Sequence, residues 1–207
     1  MGNGLLRKSI GVVLCVCGLA AGQPAQVIYV DGAAVGADDG SSWTNAYRYL
    51  QDALAAATPP AEIPVARGVY RPDQGAGIVR GDRDVAFALL NGVALKGGYA
   101  GVSGADPNAR DVEEYATVLS GTRGALDDLP GGVSELIVTG DLTDATAVID
   151  GFTITAGGSY EGMNIDAGSP AICNCVFKGN GIAIDIHDGS PSVVDCRFSE
   201  YQQLSLI

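Results

Sequence analysis

The last third of the chain writes one short phrase twice. "GSPAICNCVF" begins at Gly168 and "GSPSVVDCRF" at Gly189, 21 positions later. Ile172 falls on Val193, Cys175 on Cys196 and Phe177 on Phe198. One repeat further back, at an offset of 23, Ile149, Phe152 and Ile154 fall on Ile172, Cys175 and Phe177. A fixed period of this size, with the same apolar slots and turns, marks a solenoid whose units cover one another. Each unit holds only short strands, so the economical geometry is a coil of parallel strands. Equivalent residues then stack about 4.8 Å apart from one turn to the next. An antiparallel sandwich would need hairpin turns and does not require in-register copies of whole phrases.

Upstream, "EIPVARGVY", "FALLNGVALKGGY", "YATVLSG", "SELIVTG" and "TAVIDGFTITAG" are short runs of β-branched and aromatic residues closed by glycine or tyrosine. The 30 glycines suit many tight turns rather than long helices. One helix is expected all the same. In "WTNAYRYLQDALAAA" the residues Trp43, Tyr47, Leu50 and Leu54 recur at helical spacing. Ser41 or Ser42 is the expected N-cap, and Thr58-Pro59-Pro60 the expected stop. The aromatic stripe is read as core-facing rather than as a ligand platform. Asp38 and Asp39, just before it, are expected to hold a turn.

These phrases together resemble the large secreted bacterial proteins with right-handed parallel β-helix repeats. Those proteins share the pectin-lyase-like fold and overlap with polymorphic outer-membrane-protein repeats. The resemblance rests on "SWTNAYRYLQDALAAA", "AEIPVARGVYRPD", "FALLNGVALKGGYAG", "DPNARDVEEYATVLSG", "AVIDGFTITAGG" and "GSPAICNCVFKGN", in the family's order, from about Ile28 to Phe198. It implies an all-β solenoid, a right-handed parallel β-helix, with the N-terminal helix capping the first coil. Members are mostly inferred surface, adhesive or carbohydrate-associated proteins, so fold does not settle activity. Family members usually continue into further coils after the position of Phe198. Here "SEYQQLSLI" follows, and the expectation is a truncated or decayed copy, the alternative a short native cap.

The first 22 residues set the compartment. Arg7 and Lys8 precede an apolar and small run from Ile10 to Ala21, too short for a membrane span of roughly 20 apolar residues. This is the pattern of a secretory signal peptide, with Ala20 and Gly22 at the −3 and −1 positions and a mature start at Gln23. Cys15 and Cys17 raise a lipoprotein alternative, but Leu14 and Val16 are bulky where lipidation wants a small residue. The expected division is 1–22 signal peptide, 23–60 N-terminal strand and capping helix, 61–198 coils, and 199–207 a divergent tail or incomplete cap. The mature chain is expected to carry no membrane span and to be secreted or held at the cell surface.

The formal net charge of −12 becomes −14 once Arg7 and Lys8 leave. That surface repels phosphate backbones, and no basic cluster relieves it, so no nucleic-acid partner is expected. The acidity reads as a solvated exterior. Ca²⁺ binding is the sharper but weaker reading, since Ca²⁺ takes carboxylate oxygens; no cofactor is otherwise expected.

No catalytic, cofactor-binding or metal residue is assigned. A lyase on this fold needs carboxylates for Ca²⁺ and an Arg or Lys base, and a hydrolase needs two facing carboxylates. The pectin-hydrolysing relatives of the resembled family carry adjacent aspartates, a Gly-His-Gly and an Arg-x-Lys on consecutive strands. Here Asp38-Asp39 and Asp127-Asp128 lie in loop-like stretches, and neither of the other motifs occurs. His187, the single histidine, falls on Asp166 of the preceding repeat and is read as a surface residue. Asn174 and Asp195 share one repeat position, where a hydrogen-bond ladder or turn role is expected.

Cys173, Cys175 and Cys196 are an odd number for an exported chain. They lack the Cys-x-x-Cys or histidine company of a zinc site. Cys175 and Cys196 occupy the slot Phe152 fills one repeat earlier, which reads as a buried ladder. A disulfide between them is within reach by distance but opposed by parallel side-chain directions. The functional expectation is an exported non-catalytic β-helix module, structural, adhesive or carbohydrate-associated, with polysaccharide or cell-surface components as partners. The alternative is a pectin-lyase-like polysaccharide lyase or glycoside hydrolase, or a fragment of one. Charged clusters on one solvent face would favour the enzyme; Asn, Ser, Thr and Gly ladders would favour the module.

Overall fold

The computed structural model describes residues 25–122, 134–155 and 160–200, together with the backbone of Gln203–Leu206. The expected leader and Asp127-Asp128 lie outside the described residues, as do the side chains of the tail from 201 on.

From Ala61 onward the chain passes through three parallel sheets in a fixed rotation. The first sheet takes Ala61–Ala66, Val93–Tyr99, Val148–Asp150, Ala171–Cys173 and Ser192–Val194, with Gln26–Val27 added beside Ala61. The second takes Gly68–Tyr70, Thr117–Ser120, Phe152–Thr155, Val176–Lys178 and Arg197–Ser199. The third takes Phe87–Ala88, Leu136–Thr139, Glu161–Asp166, Ile182–His187 and Gln203–Leu206. One strand in each sheet makes one round, and the described chain makes five.

The sequence alignment of the last three rounds is the observed register. Ile149 pairs with Ile172 and Ile172 with Val193; Ile154 pairs with Phe177 and Phe177 with Phe198. Alternate residues of a strand face one side, so each sheet stacks an inward column. In the first sheet it runs Ile63, Leu95, Ile149, Ile172 and Val193. In the second it runs Tyr70, Leu119, Ile154, Phe177 and Phe198. In the third, Phe87, Val138, Met163 and Ile184 are stacked. These columns meet in one buried cluster, and they open at the fifth round, where Val193 is 40% exposed against 0% for Ile172.

The corners recur as well. Gly151, Asn174 and Asp195 occupy the same bend between the first and second sheets in three successive rounds, at φ of 83°, 50° and 52°. Leu142, Ala167 and Asp188 do the same after the third sheet, at 56°, 50° and 52°. The left-handed residue turns the chain while the ladder continues through it: Gly151 N–H donates to Cys173 O, and Asn174 N–H to Val194 O.

The expected helix is shorter than its apolar stripe. It runs Leu50–Ala56, with Tyr49 extended before it and neither Ser41 nor Ser42 capping it. Residues 41–48 instead fold back on the preceding segment. Tyr47 N–H donates to Tyr29 O, Asp31 N–H to Tyr47 O, and Gly36 N–H to Thr44 O. Val30 thereby bridges Tyr47 on one side and Val65 on the other. Strand-like pairing with Val30 competed for the backbone of Tyr47 and won. Trp43, Leu50 and Leu54 are nevertheless buried, and the helix ends before Pro59-Pro60 as expected.

Candidate binding groove at the first bend

The bend through Gly151, Asn174 and Asp195 is overhung by a loop from the second round, and the two enclose a groove of about 610 Å³. The loop is held by its main chain: Ala100 N–H donates to Ala109 O and Asp111 N–H to Gly98 O. Its acidic turn is self-contained. The Asp111 carboxylate accepts the N–H groups of Glu113 and Glu114 at 2.9 and 3.0 Å, which holds its pKa below the usual carboxylate value.

Arg110 joins the loop to the bend. Its Nε–H donates to Gly97 O at 2.9 Å, and its Nη2 lies 3.0 Å from Asp150 Oδ2. The guanidinium also sits over the Tyr99 ring, 5.7 Å from its centroid. Gly151 makes this approach feasible, because a Cβ there would stand 2.6 Å from Val112 Cγ1 and 2.8 Å from Arg110 Nη2. The other oxygen of Asp150 accepts Asn174 Nδ2–H at 2.7 Å. On the far side, Arg197 reaches back to Glu113 at 2.8 Å, with both side chains 75% exposed.

The groove therefore holds charge of both signs, and most of it is spent internally. Asp150 is engaged at both oxygens, Arg110 is pinned at three points, and Arg197 and Glu113 pair with each other. Asp195 is exposed at the mouth and makes no hydrogen bond or ion pair among the described residues. Half-buried Thr153 and Val176 form the outward floor. Such a site offers hydroxyl, amide and carboxylate groups for hydrogen bonding, with an apolar strip between them.

The residues weighed in the sequence distribute as follows. Asn174 and Asp195 do sit together, as bend residues, and Asn174 adds a side-chain bond to the round before it. Asp38 is left-handed, at φ 59°, and takes Arg48 at 2.8 Å; that contact lowers its pKa. Asp39 accepts Ser41 N–H at 2.9 Å. Both hold the turn, as expected. His187 pairs in register with Asp166, but its imidazole faces Asp185, 3.3 Å away. Among the described residues, Asp185 Oδ1 is buried without a hydrogen-bond partner. Burial, and then the charge of Asp185, push the Glu161 carboxyl above its usual pKa.

Arg110, Glu113 and Arg197 were not singled out from sequence. Arg110 and Glu113 lie in one charged stretch and Arg197 lies 84 positions beyond Glu113, and only the rotation of the chain brings them to one bend. Among the described residues no three His, Cys, Asp or Glu side chains gather as a cation site, and no helix is long and apolar enough to cross a membrane. No family model matches the chain, and neither does any curated protein or solved structure.

Proposed function

We propose that the three sheets are the walls of a right-handed parallel β-helix, and that the protein is an exported, non-catalytic surface or extracellular module that associates with carbohydrate. The fixed rotation through parallel sheets supports the coil. Its hand follows from the right-handedness of about 98% of crossovers between parallel strands of one sheet. On this reading residues 1–22 are a leader removed on export, 23–60 cover the first coil, 61–198 form the coils and 199–207 are a divergent tail or incomplete cap. The likeness to pectin-lyase-like repeat proteins belongs to the same proposal.

The groove carries the carbohydrate part. It runs over the bends of successive coils, it is lined by hydrogen-bonding groups beside a small apolar strip, and its charges are largely neutralised in place. Sugars are bound by that combination of hydroxyl-matching polar groups and modest apolar contact. A net charge of −12 disfavours nucleic acid in the same position.

The test is retention on insoluble polysaccharides and on an oligosaccharide array. The parent should bind at least one glycan class. Val176→Trp, which fills the groove floor from an outward position, should lose that binding with an unchanged unfolding midpoint. Full retention by the variant, or no glycan bound by the parent, removes this reading. A pectin-lyase-like lyase or hydrolase is the second reading. It is favoured by the gathering of Arg110, Asp150, Asp195 and Arg197 on one solvent face. Unsaturated or reducing-end product from polygalacturonate or alginate, lost in Asp195→Asn, would put the enzyme first.

A further inference from the structure

Cys175 and Cys196 lie opposite each other in the fourth and fifth rounds. Asn174 N–H donates to Val194 O at 3.0 Å and Arg197 N–H to Cys175 O at 2.8 Å, one bond on either side of the cysteine pair. Beyond them the Phe177 and Phe198 rings stack at 5.2 Å and 8°, so the two strands are in close register. Adjacent strands lie about 4.8 Å apart, inside the Cα separation of roughly 4.4–6.8 Å that a disulfide spans.

The two thiols have matching settings. Cys175 Sγ is 3.2 Å from Cys173 O and 3.8 Å from Ile149 O; Cys196 Sγ is 3.4 Å from Val194 O and 3.6 Å from Ile172 O. The side chains thus run parallel, and a bond requires one of them to swing. Cys196 has the room. Cys175 is fully buried, whereas Cys196 is half-buried in the round where Val193 and Val194 are each 40% exposed. Cys173 is differently placed: its cross-strand partners are Asp150 and Val194, neither of which carries a thiol.

We propose that Cys175 and Cys196 are a disulfide-forming pair that ties the fifth round to the fourth, with a low-molecular-weight disulfide such as oxidised glutathione as the oxidant. The Cys196 thiolate attacks one sulfur of the oxidant, forming a mixed disulfide and expelling a glutathione thiolate that takes a proton from water. Cys175 then gives up its proton to water, and its thiolate attacks Cys196 Sγ. The second glutathione thiolate leaves and is protonated in turn. Two protein thiols become one disulfide, and oxidised glutathione becomes two molecules of glutathione. The order follows from exposure and acidity. The neighbouring Cys175 thiol lowers the pKa of Cys196, while the neighbouring Cys196 thiol and burial raise that of Cys175. The bond would lie where the stack is least covered, and closing that loop restricts the unfolded chain.

The folded full chain is incubated with oxidised glutathione at pH 8, quenched in acid, alkylated and mapped by mass spectrometry. The expected product is a cross-linked pair of peptides carrying Cys175 and Cys196, 2 Da lighter than the two reduced peptides. The oxidised protein should also unfold at higher urea than the reduced one. Cys196→Ser, at a half-buried position, should leave Cys175 reduced and abolish the oxidation-dependent shift; Cys173→Ser should keep both. A cross-link through Cys173 overturns the proposal. So does a persistent glutathione adduct on Cys196 without a bond to Cys175, or no reaction at either residue.

Discussion

At the scale of single residues, the backbone corners and the charges obey different rules. Asn174 and Asp195 are legible in the sequence as a repeated polar position, and their role as left-handed bend residues matches the known tolerance of Asn and Asp for that conformation. Ala167 and Leu142 stand in the same conformation, and nothing in their side chains advertises it. Glu161 is a case where only packing decides. Its carboxyl is pushed up by burial and by Asp185, against the smaller opposing pull of Asn164 and His187. A carboxyl whose pKa is raised by folding favours the folded state while it is protonated. That contribution is complete below the usual carboxylate range and is lost as pH climbs through the raised value. Glu161→Gln remains neutral throughout. Its urea midpoint should exceed the parent's at pH 7 and converge with it near pH 4. A variant less stable than the parent at pH 7 would show that the ionised carboxylate is held by favourable contacts instead.

At the scale of elements, strands were easier to read than the helix. A strand of this stack needs only alternating apolar residues and a closing bend, both of which are local. The helix start depended on Val30, which lies 17 positions before Tyr47 and captures its backbone. Helical spacing of Trp43, Tyr47, Leu50 and Leu54 recorded which residues are covered, not the conformation that covers them. The column of Phe177 and Phe198 makes the packing testable. Phe177 is 0% exposed, between Ile154 and Phe198, while Phe198 is only half-buried. Phe177→Ala should cost roughly 3–5 kcal/mol, and Phe198→Ala clearly less, read as shifts in urea midpoint at a constant slope. Equal costs would mean that the residues after Phe198 form a packed cover. No cost at either position would remove the stacked-column account.

At the scale of the whole molecule, the three sheets share every round, so order should be graded along the stack. Each interior round is hydrogen-bonded on both sides, whereas among the described residues the fifth has a neighbour on one side only in all three sheets. Amides of Ser192–Ser199 should therefore exchange at least about tenfold faster than those of Ala171–Lys178, since local opening at an edge exposes fewer contacts. Uniform protection across both segments would indicate that the stack opens as one unit.

The sequence by itself determined the strand runs, the register of the last three rounds and the bend position shared by Asn174 and Asp195, because in-register stacking writes its period directly into the chain. The earlier rounds escaped it. Leu95 and Ile149 are neighbours in one column, yet a loop carrying Arg110 and Glu113 and a further segment separate them by 54 positions. Stacking constrains what each strand presents and leaves the length between strands free. Only the tertiary structure decided that Arg110, Glu113, Asp150 and Arg197 meet, that His187 faces Asp185, and that Tyr47 belongs to a bridge instead of a helix. Such contacts join residues far apart in the chain, and pairing across that distance is set by where the rounds place them, which no local pattern records.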